Sequence, residues 1–250
     1  MRQFTYAIAA KAFSAKQSQK LYIEQKKAYG EWGLSYDDAR ANLNQVCLKR
    51  FGITFNENNG MWSEHLIFFS ALSISQVSVT NILEIGTFKG ETTRILADLF
   101  PNSQIDSIDL SHEEILRIGT YFYAASNLPD SKDMPSNVTL KTQNSLKLLN
   151  ESIRYDLIWV DGNHKSPYVQ VDIASAIRLV SNDGFVLCDD VFLRAPKFEK
   201  NSGLESIETI LAFKNAEMIQ VSLIRKRLSK KFNNIITGAK FLAVIQKKLL

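Results

Sequence analysis

The sequence predicts an α/β protein with a doubly wound, seven-stranded, mostly parallel sheet and a helical N-terminal extension. Residues 1 to about 75 show helical spacing of apolar residues and no strand alternation. From about residue 78, short apolar runs alternate with helical segments, which is typical of βαβ units, and two further strand-like runs end the chain. We therefore expect a helical lid or substrate region over residues 1–75 and a sheet domain over residues 76–250.

Seven apolar runs predict the strands. Five of them alternate with helices and the last two form a terminal pair, and ligands of such sheets bind beyond the carboxyl ends of the strands. The predicted strands cover residues 81–85, 104–109, 138–142, 156–160, 184–188, 218–224 and 241–246.

Periodicity and capping signals predict the helices between these strands. The stretch after Glu91 places its apolar residues on one face, and residues 169–180 repeat apolar side chains at helical spacing. Capping boxes, in which a serine precedes a glutamate by three residues, predict helix starts at residues 111–114 and 202–205.

Composition limits the class of protein. The chain has 250 residues, 45% of them hydrophobic and 22% charged, which suits a globular protein with a large core. No apolar stretch is long enough to span a membrane, and two cysteines cannot form a disulfide framework, so we expect a cytoplasmic protein. Residues 225–250 carry eight lysines and arginines and no acidic residue. They form either a patch for an anionic partner or a solvated loop and tail, and we favour the solvated alternative.

The most informative segment joins the first predicted strand to its helix. The strand ends near Glu84, a turn with Gly86 and Gly90 follows, and a helix begins. Glycine lets backbone amides approach a ligand because it has no Cβ, and the helix N-terminus offers unpaired N–H groups. Phe88 and Glu91 occupy the places of the second and third glycines of a dinucleotide-binding turn, which argues against a nicotinamide cofactor.

The ends of the next two strands add polar groups. Asp109 lies 23 residues after Gly86, a spacing that suits a carboxylate bonded to both ribose hydroxyls of a nucleoside. Asn144 and Ser145 follow the third strand, where a loop could border an adenine. A simpler alternative stays open, in which the glycines only make a tight turn and Asp109 only caps the helix that follows.

These residues resemble the class I S-adenosylmethionine-dependent methyltransferases, and the E-I-G-T-x-x-G turn is similar to that of their cation-dependent O-methyltransferase branch. The resemblance covers roughly residues 60–250. It implies a Rossmann-like sheet closed by an antiparallel last strand, with S-adenosylmethionine as the cofactor. The residues implied in cofactor binding are Glu84, Gly86, Thr87, Phe88, Gly90, Asp109, Leu110, Asn144, Ser145 and Asp161.

Carboxylates also follow the fourth and fifth strands. Asp161 opens a D-G-N-H segment, and Asp189 and Asp190 end the fifth strand, so all three are expected at one edge of the sheet. Three carboxylates without a fixed basic partner would repel one another, and a hard divalent cation such as Mg²⁺ would relieve that repulsion. The alternative for Asp189 and Asp190 is helix capping or solvation of a strand end.

Both segments resemble small-molecule O-methyltransferases of the macrolide and aminocoumarin type (methyltransferase family 24), relatives of the catechol and caffeoyl enzymes. The resemblance implies that Asp161, Asp189 and Asp190 bind a metal that lowers the pKa of a substrate hydroxyl. His164 stands where the catechol and caffeoyl relatives have a lysine, three residues after Asp161. It is either a general base or a loop residue that orients Asp161.

The sequence thus predicts a Mg²⁺-dependent enzyme that methylates a hydroxyl group of a small molecule. Three alternatives stay open: a related enzyme of another reaction such as hydroxylation, a cofactor-binding protein without turnover, and an RNA-binding protein or RNA methyltransferase that uses residues 225–250. The fourth strand lacks an Asn-Pro-Pro-Tyr-type motif after it, which disfavours a nucleic acid partner. The sequence predicts no membrane span, and it is compatible with a homo-oligomer.

Overall fold

Three helices precede the sheet within the part of the chain that the structure describes. The computed structural model describes residues 18–57, 62–111, 113–114, 128–193, 204–226 and 240–248. Within these ranges α1 covers residues 18–30, α2 Tyr36–Phe51 and α3 Glu64–Ser73. The Ser35 side chain accepts a hydrogen bond from the backbone N–H of Asp38 at the start of α2, and Gly52 ends this helix in the left-handed conformation that glycine adopts most easily.

The sheet has the seven strands predicted, in the order β3-β2-β1-β4-β5-β7-β6. Strands β1 to β5 are parallel, and β7 runs antiparallel to both β5 and β6. The antiparallel last strand and the mostly parallel sheet confirm the predicted fold class. The bounds are β1 Asn81–Ile85, β2 Gln104–Asp109, β3 Val138–Thr142, β4 Tyr155–Val160, β5 Val180–Phe192, β6 Ile219–Arg225 and β7 Lys240–Lys247.

Helices α4 Glu91–Leu99, α5 Tyr168–Leu179 and α6 Glu205–Asn215 connect these strands, with short 3-10 helices at Ser131–Asp133 and Ser145–Asn150. The capping box at residues 111–114 is present, because the Glu114 amide donates to the Ser111 hydroxyl and the Ser111 amide donates to the Glu114 carboxylate. Most of the helix predicted after it lies outside the described residues. Residues 202 and 203 of the second predicted box also lie outside them, and α6 begins later than expected, at Glu205.

Two hydrophobic cores cover the two faces of the sheet. One joins α1 to α4 with the β4 and β5 side chains Trp159, Phe185 and Leu187. The other packs α5 and α6 against the opposite face. The helices before residue 75 therefore share one face of the sheet's core with α4. The division of the chain into two domains at residue 75 stays a prediction.

Topology brings the ends of four strands together at one edge. Strand β6 is parallel to β5, so its last residues lie at the carboxyl edge of the sheet, and the antiparallel β7 starts at that same edge. The backbone N–H of Lys226 donates to the carbonyl of Lys240 at 2.9 Å and closes this end of the β6–β7 pair. Among the described helices, none has the length and apolar character needed to cross a membrane.

Candidate active site

The glycine turn brings β1 into close contact with β4. Gly86 has φ +102°, and a Cβ built on it would lie 2.3 Å from the backbone oxygen of Asp161. The Gly86 amide donates to the Ile108 carbonyl at 2.9 Å, and the Asp161 amide donates to the Ile85 carbonyl at 2.9 Å. Only a residue without a side chain fits here, so the turn and the start of the D-G-N-H segment lie directly against each other.

Asp109 lies beside this turn, as its spacing predicted. Its Oδ2 accepts hydrogen bonds from the amides of Thr87 at 3.1 Å and Phe88 at 2.8 Å. Its Oδ1 accepts from the amide of Leu110 at 2.7 Å. Two carboxylate oxygens can accept about four hydrogen bonds. The three amides therefore fix the orientation of Asp109 and leave acceptor capacity for a ligand hydroxyl.

Glu84 is fully buried under the turn. Thr93 and Ser107 each donate a hydroxyl hydrogen bond to its Oε2 at 2.5 Å, while its Oε1 has no hydrogen-bond partner among the described residues. Burial raises the pKa of Glu84 to about 8, and the Ser107 and Thr93 hydrogen bonds only partly offset that effect. A buried acceptor without a partner fits a cofactor that brings its own amino group.

Gly90 and Phe88 complete the turn with positive φ angles of +69° and +48°. Gly90 precedes α4, and a Cβ on it would lie 2.9 Å from the ring of Pro129. The Phe88 side chain is 43% exposed beside the turn. This positive φ is uncommon for a residue with a side chain, and it lets the Phe88 amide point at Asp109.

The loop after β3 contacts a carboxylate that sequence reasoning missed. Asn144 caps the 3-10 helix by accepting from the Leu146 amide at 3.0 Å, and Ser145 donates a hydrogen bond to Asp172 on α5. Asp172 is buried, its Oδ1 has no partner among the described residues, and burial raises its pKa to about 6 despite the bond from Ser145. The sequence signal that could have revealed Asp172 is an acidic residue within the apolar stripe of residues 169–180.

The predicted carboxylates do meet at the carboxyl edge. The Nε2 of His164 lies 3.4 Å from an oxygen of Asp161 and 3.8 Å from one of Asp190. Strand β5 bulges between Cys188 and Val191, and Asp190 has φ +52°. Successive side chains of a regular strand point to opposite faces, and the bulge turns Asp190 toward the same cluster as Asp189.

Two lysines occupy this cluster, which corrects the expectation of carboxylates without a fixed basic partner. The ammonium of Lys226 is bonded to Asp189, and that of Lys240 is bonded to Asp190 and lies 3.8 Å from the other oxygen of Asp189. Lys226 is almost completely buried, so the expectation of a wholly solvated basic segment also fails at these two positions.

The predicted metal ligands Asp161, Asp189 and Asp190 therefore do not fit a divalent cation. Across the described residues, no three His, Cys, Asp or Glu side chains are arranged to hold a metal ion. Burial would raise the pKa of Asp189, but the attraction of Lys226 and Lys240 outweighs it and holds this pKa well below its usual range. The carboxylate is thus charged, and side-chain ammonium groups already neutralise it.

Electrostatics also constrain the role of His164. Burial alone would lower its pKa, but contact with Asp161 and the charges of Asp190 and Asp161 raise it to about 9. Burial, followed by the charge of Asp189, raises the pKa of Asp161. The pKa values of both members of the pair are therefore raised, and in the free protein His164 carries a proton at neutral pH.

Helix α3 contributes a second histidine that sequence reasoning treated as structural. His65 is buried, its ring stacks on Trp159 at 4.5 Å between centroids, and its Nδ1 lies 2.9 Å from the Ser63 hydroxyl. Burial, followed by the charge of Lys226, lowers its pKa to about 3, so the ring is neutral. Its Nε2 has no partner among the described residues.

Comparisons with known proteins agree with this fold. Residues 83–191 match the model of a protein family described as a methyltransferase domain. A candidate O-methyltransferase from Klebsiella pneumoniae is 18% identical, with 86% of this chain and 90% of that chain aligned and a TM-score of 0.50. Cofactor-bound Rv0187 from MTB is 16% identical, with 83% and 87% aligned and a TM-score of 0.51. No curated protein sequence matches the chain significantly.

The sheet order, the antiparallel last strand and the glycine turn beside Asp109 define a class I methyltransferase fold, and the family match confirms the resemblance drawn from the sequence. The chain thus has the fold of the S-adenosylmethionine-dependent methyltransferases. Residues 83–191, less than half of the chain, match the model of methyltransferase family 24.

Proposed function

We propose that this protein transfers the methyl group of S-adenosylmethionine to a hydroxyl group of a small molecule. The observation that carries the proposal is the contact between Gly86 and the backbone of Asp161, because it makes the cofactor turn and the Asp161–His164 pair contiguous. A methyl donor held at the turn would lie next to groups that can accept a proton. The likeness to a candidate O-methyltransferase of known structure, and to a methyltransferase family model, supports the same reaction class.

The residues present fit the cofactor. Asp109 would hold the ribose hydroxyls, and the free oxygen of Glu84 would face the amino group of the methionine part. The loop at Asn144 and Ser145 would border the adenine. The cofactor supplies an electrophilic methyl group on a cationic sulfur. The remaining work of the protein is to align the acceptor oxygen with that methyl group and to exclude water.

The acceptor hydroxyl loses its proton during methyl transfer, so a group of the protein must accept that proton. Asp161 lies beside the turn and has a raised pKa, so it is the group we assign to accept that proton. His164, which is protonated and 3.4 Å away, would orient Asp161 and stabilise its charge. This assignment favours the second of the two roles considered for His164.

Binding of S-adenosylhomocysteine tests the cofactor site. Asp109→Asn should weaken binding about tenfold or more, because a charged acceptor of ribose hydrogen bonds contributes roughly 1.5–3 kcal/mol. Asp183→Asn is the matched control, since Asp183 is exposed at the start of β5, and it should bind like the natural protein. Calorimetric titration gives both affinities. No binding by the natural protein would refute the proposal.

Product analysis separates the proposed reaction from the alternatives. With a panel of phenols, catechols and hydroxylated macrolides, we expect one product to gain the mass of a methylene unit. A gain of oxygen would indicate hydroxylation. Lys226 and Lys240 are bonded inside the carboxylate cluster and cannot contact a nucleic acid at the same time. Fewer cations of the basic segment are therefore available for RNA binding, which weakens that alternative.

Cellular location and assembly remain part of the proposal. Cys47 and Cys188 are both buried and unpaired, which suits the reducing cytoplasm proposed for this protein. A homo-oligomer stays compatible with the chain.

A further inference from the structure

The carboxylates at the edge of β4 and β5 are bonded to side-chain cations of the β6–β7 pair. Lys226 contacts one oxygen of Asp189, and Lys240 lies between the second oxygen of Asp189 and Asp190. Magnesium binds carboxylate oxygens at about 2.0–2.1 Å in a nearly octahedral shell. An ion at this position would have to displace both ammonium groups from the oxygens that they occupy.

Side-chain cations already offset the negative charge of Asp189 and Asp190. Lys226 is bonded to Asp189, and Lys240 is bonded to Asp190 and lies 3.8 Å from Asp189. A divalent cation would therefore meet two positive charges at these carboxylates, and it would gain little electrostatic energy to set against its loss of bound water.

The fold positions the two lysines beside the carboxylates. The backbone bond between Lys226 and Lys240 sets the two ammonium groups side by side, and the β5 bulge turns Asp190 toward them. The side chain of Lys226 is 3% exposed and that of Lys240 is 18% exposed. A lysine at so low an exposure requires a specific partner, and Asp189 supplies it.

We propose that Lys226 and Lys240 supply the positive charge that a divalent cation supplies in metal-dependent enzymes of this fold, so that methyl transfer by this chain needs no metal. The inference rests on the proposed function. Lys240, the more exposed of the two, stabilises the acceptor oxygen as its proton passes to Asp161. That oxygen then forms the new bond to the methyl carbon, and the electron pair of the broken bond stays on sulfur. Lys226 is a positioning residue that fixes Asp189.

Binding of Mn²⁺ alone tests this inference without any substrate. The natural protein, with bound S-adenosylhomocysteine, is titrated with Mn²⁺, and free Mn²⁺ is followed by electron paramagnetic resonance. The same titration is made with the Lys226→Met, Lys240→Met double variant, in which the carboxylates lose their ammonium partners. Lys248→Met is the matched control, since Lys248 is exposed at the end of β7.

We expect no specific Mn²⁺ binding by the natural protein or the control, and affinity at least about tenfold higher in the double variant. Stoichiometric binding by the natural protein that is lost in Asp189→Asn would overturn the inference. A folded double variant that gains no affinity would also overturn it, because the lysines would then not be what excludes the ion. Circular dichroism reports folding, and Lys240→Met alone serves if the double variant is unfolded.

Failure of this inference and failure of the proposed function give different results. If S-adenosylhomocysteine binds and the natural protein also binds Mn²⁺, the methyltransferase assignment stands and the metal-independent site is refuted. If the nucleoside does not bind, the function itself is refuted. Once an acceptor is known, methyl transfer should be unchanged by EDTA and by added Mg²⁺. Loss of activity in EDTA with recovery in Mg²⁺ would contradict the inference.

Discussion

Single buried ionisable residues decide much of the electrostatics of this protein. Glu64 on α3 is completely surrounded by protein, and it accepts hydrogen bonds from Gln25 at 2.5 Å and Tyr29 at 2.9 Å. Burial raises its pKa to about 8, and the hydrogen bond from Tyr29 only partly offsets that effect. Gln25 also donates to the carbonyl of Arg225. This network ties α1 and α3 to the end of β6, next to Lys226.

Glu64→Gln should change how stability depends on pH. The pKa is about 8 in the folded protein and about 4.5 in the unfolded chain, so from about pH 5 to pH 8 the folded state holds a proton that the unfolded state has lost. This contribution to stability is complete below the unfolded pKa and disappears as pH rises through 8, at up to ~1.4 kcal/mol per pH unit.

The measurement is urea denaturation between pH 5 and pH 8. The free energy of unfolding of the natural protein minus that of Glu64→Gln should fall as pH rises. Glu31→Gln is the control, because Glu31 is exposed. The free energy of unfolding of the natural protein minus that of Glu31→Gln should stay constant with pH. A Glu64→Gln difference that stays constant or grows with pH would show that Glu64 is ionised in the folded protein.

At the scale of secondary structure, close approach between elements limits which residues are tolerated. The strand-to-helix turn after β1 requires a residue without a side chain at Gly86, where two strands meet. By contrast, a Cβ on Gly30 at the end of α1 would meet no atom within 4 Å. Comparing alanine substitutions at the two positions therefore separates the steric clash at Gly86 from the general effect of replacing a glycine.

Gly86→Ala should lower the free energy of unfolding by roughly 2–5 kcal/mol, since it combines a left-handed backbone with a clash against the Asp161 carbonyl. It should also abolish binding of S-adenosylhomocysteine. Gly30→Ala should be neutral or stabilise by about 0.5–1 kcal/mol. Thermal denaturation and calorimetry measure the two effects. Similar stability losses in both variants would be inconsistent with the close contact at Gly86.

At the scale of the whole molecule, the N-terminal helices and the sheet share one core. Phe68 on α3 is fully buried and lies between Tyr29 of α1, at 5.3 Å between ring centroids, and Phe185 of β5, at 6.0 Å. His65 and Phe69 pack on Trp159 of β4. Through these contacts the helical region and the sheet bury side chains in one shared core. The charges of Lys226 and Asp189 also act on His65, so α3 lies close to the carboxylate cluster.

Phe68→Ala should destabilise the helices and the sheet together, by about 3–5 kcal/mol, because it leaves a cavity at their junction. Tryptophan fluorescence and far-ultraviolet circular dichroism should report one shared unfolding transition at a lower denaturant concentration. Leu211→Ala, on the exposed side of α6, is the control and should change stability by about 0.5 kcal/mol or less. Two separate transitions would instead support independent domains.

The sequence by itself determined the features that depend on local pattern. The bounds of β1, β2 and β3 agree with the apolar runs, because each short run and the turn residues that end it lie at adjacent positions of the sequence. Strand β5 is longer than predicted, since it starts directly after α5 and continues through the bulge. The turn at Gly86 and the position of Asp109 could also be predicted from the sequence, because the first strand, the turn and the end of the next strand lie close together in the chain.

Only the tertiary structure decided what surrounds the carboxylates. Lys226 and Lys240 lie 37 and 50 residues beyond Asp189 and Asp190, respectively, within a segment whose composition indicated a solvated surface. The reversal of β7 brings them to the edge where β5 ends. Ion pairing depends on distance in space, and a chain pattern records distance only along the sequence. For that reason the sequence predicted the acidic groups, while the fold determined which cations neutralise them.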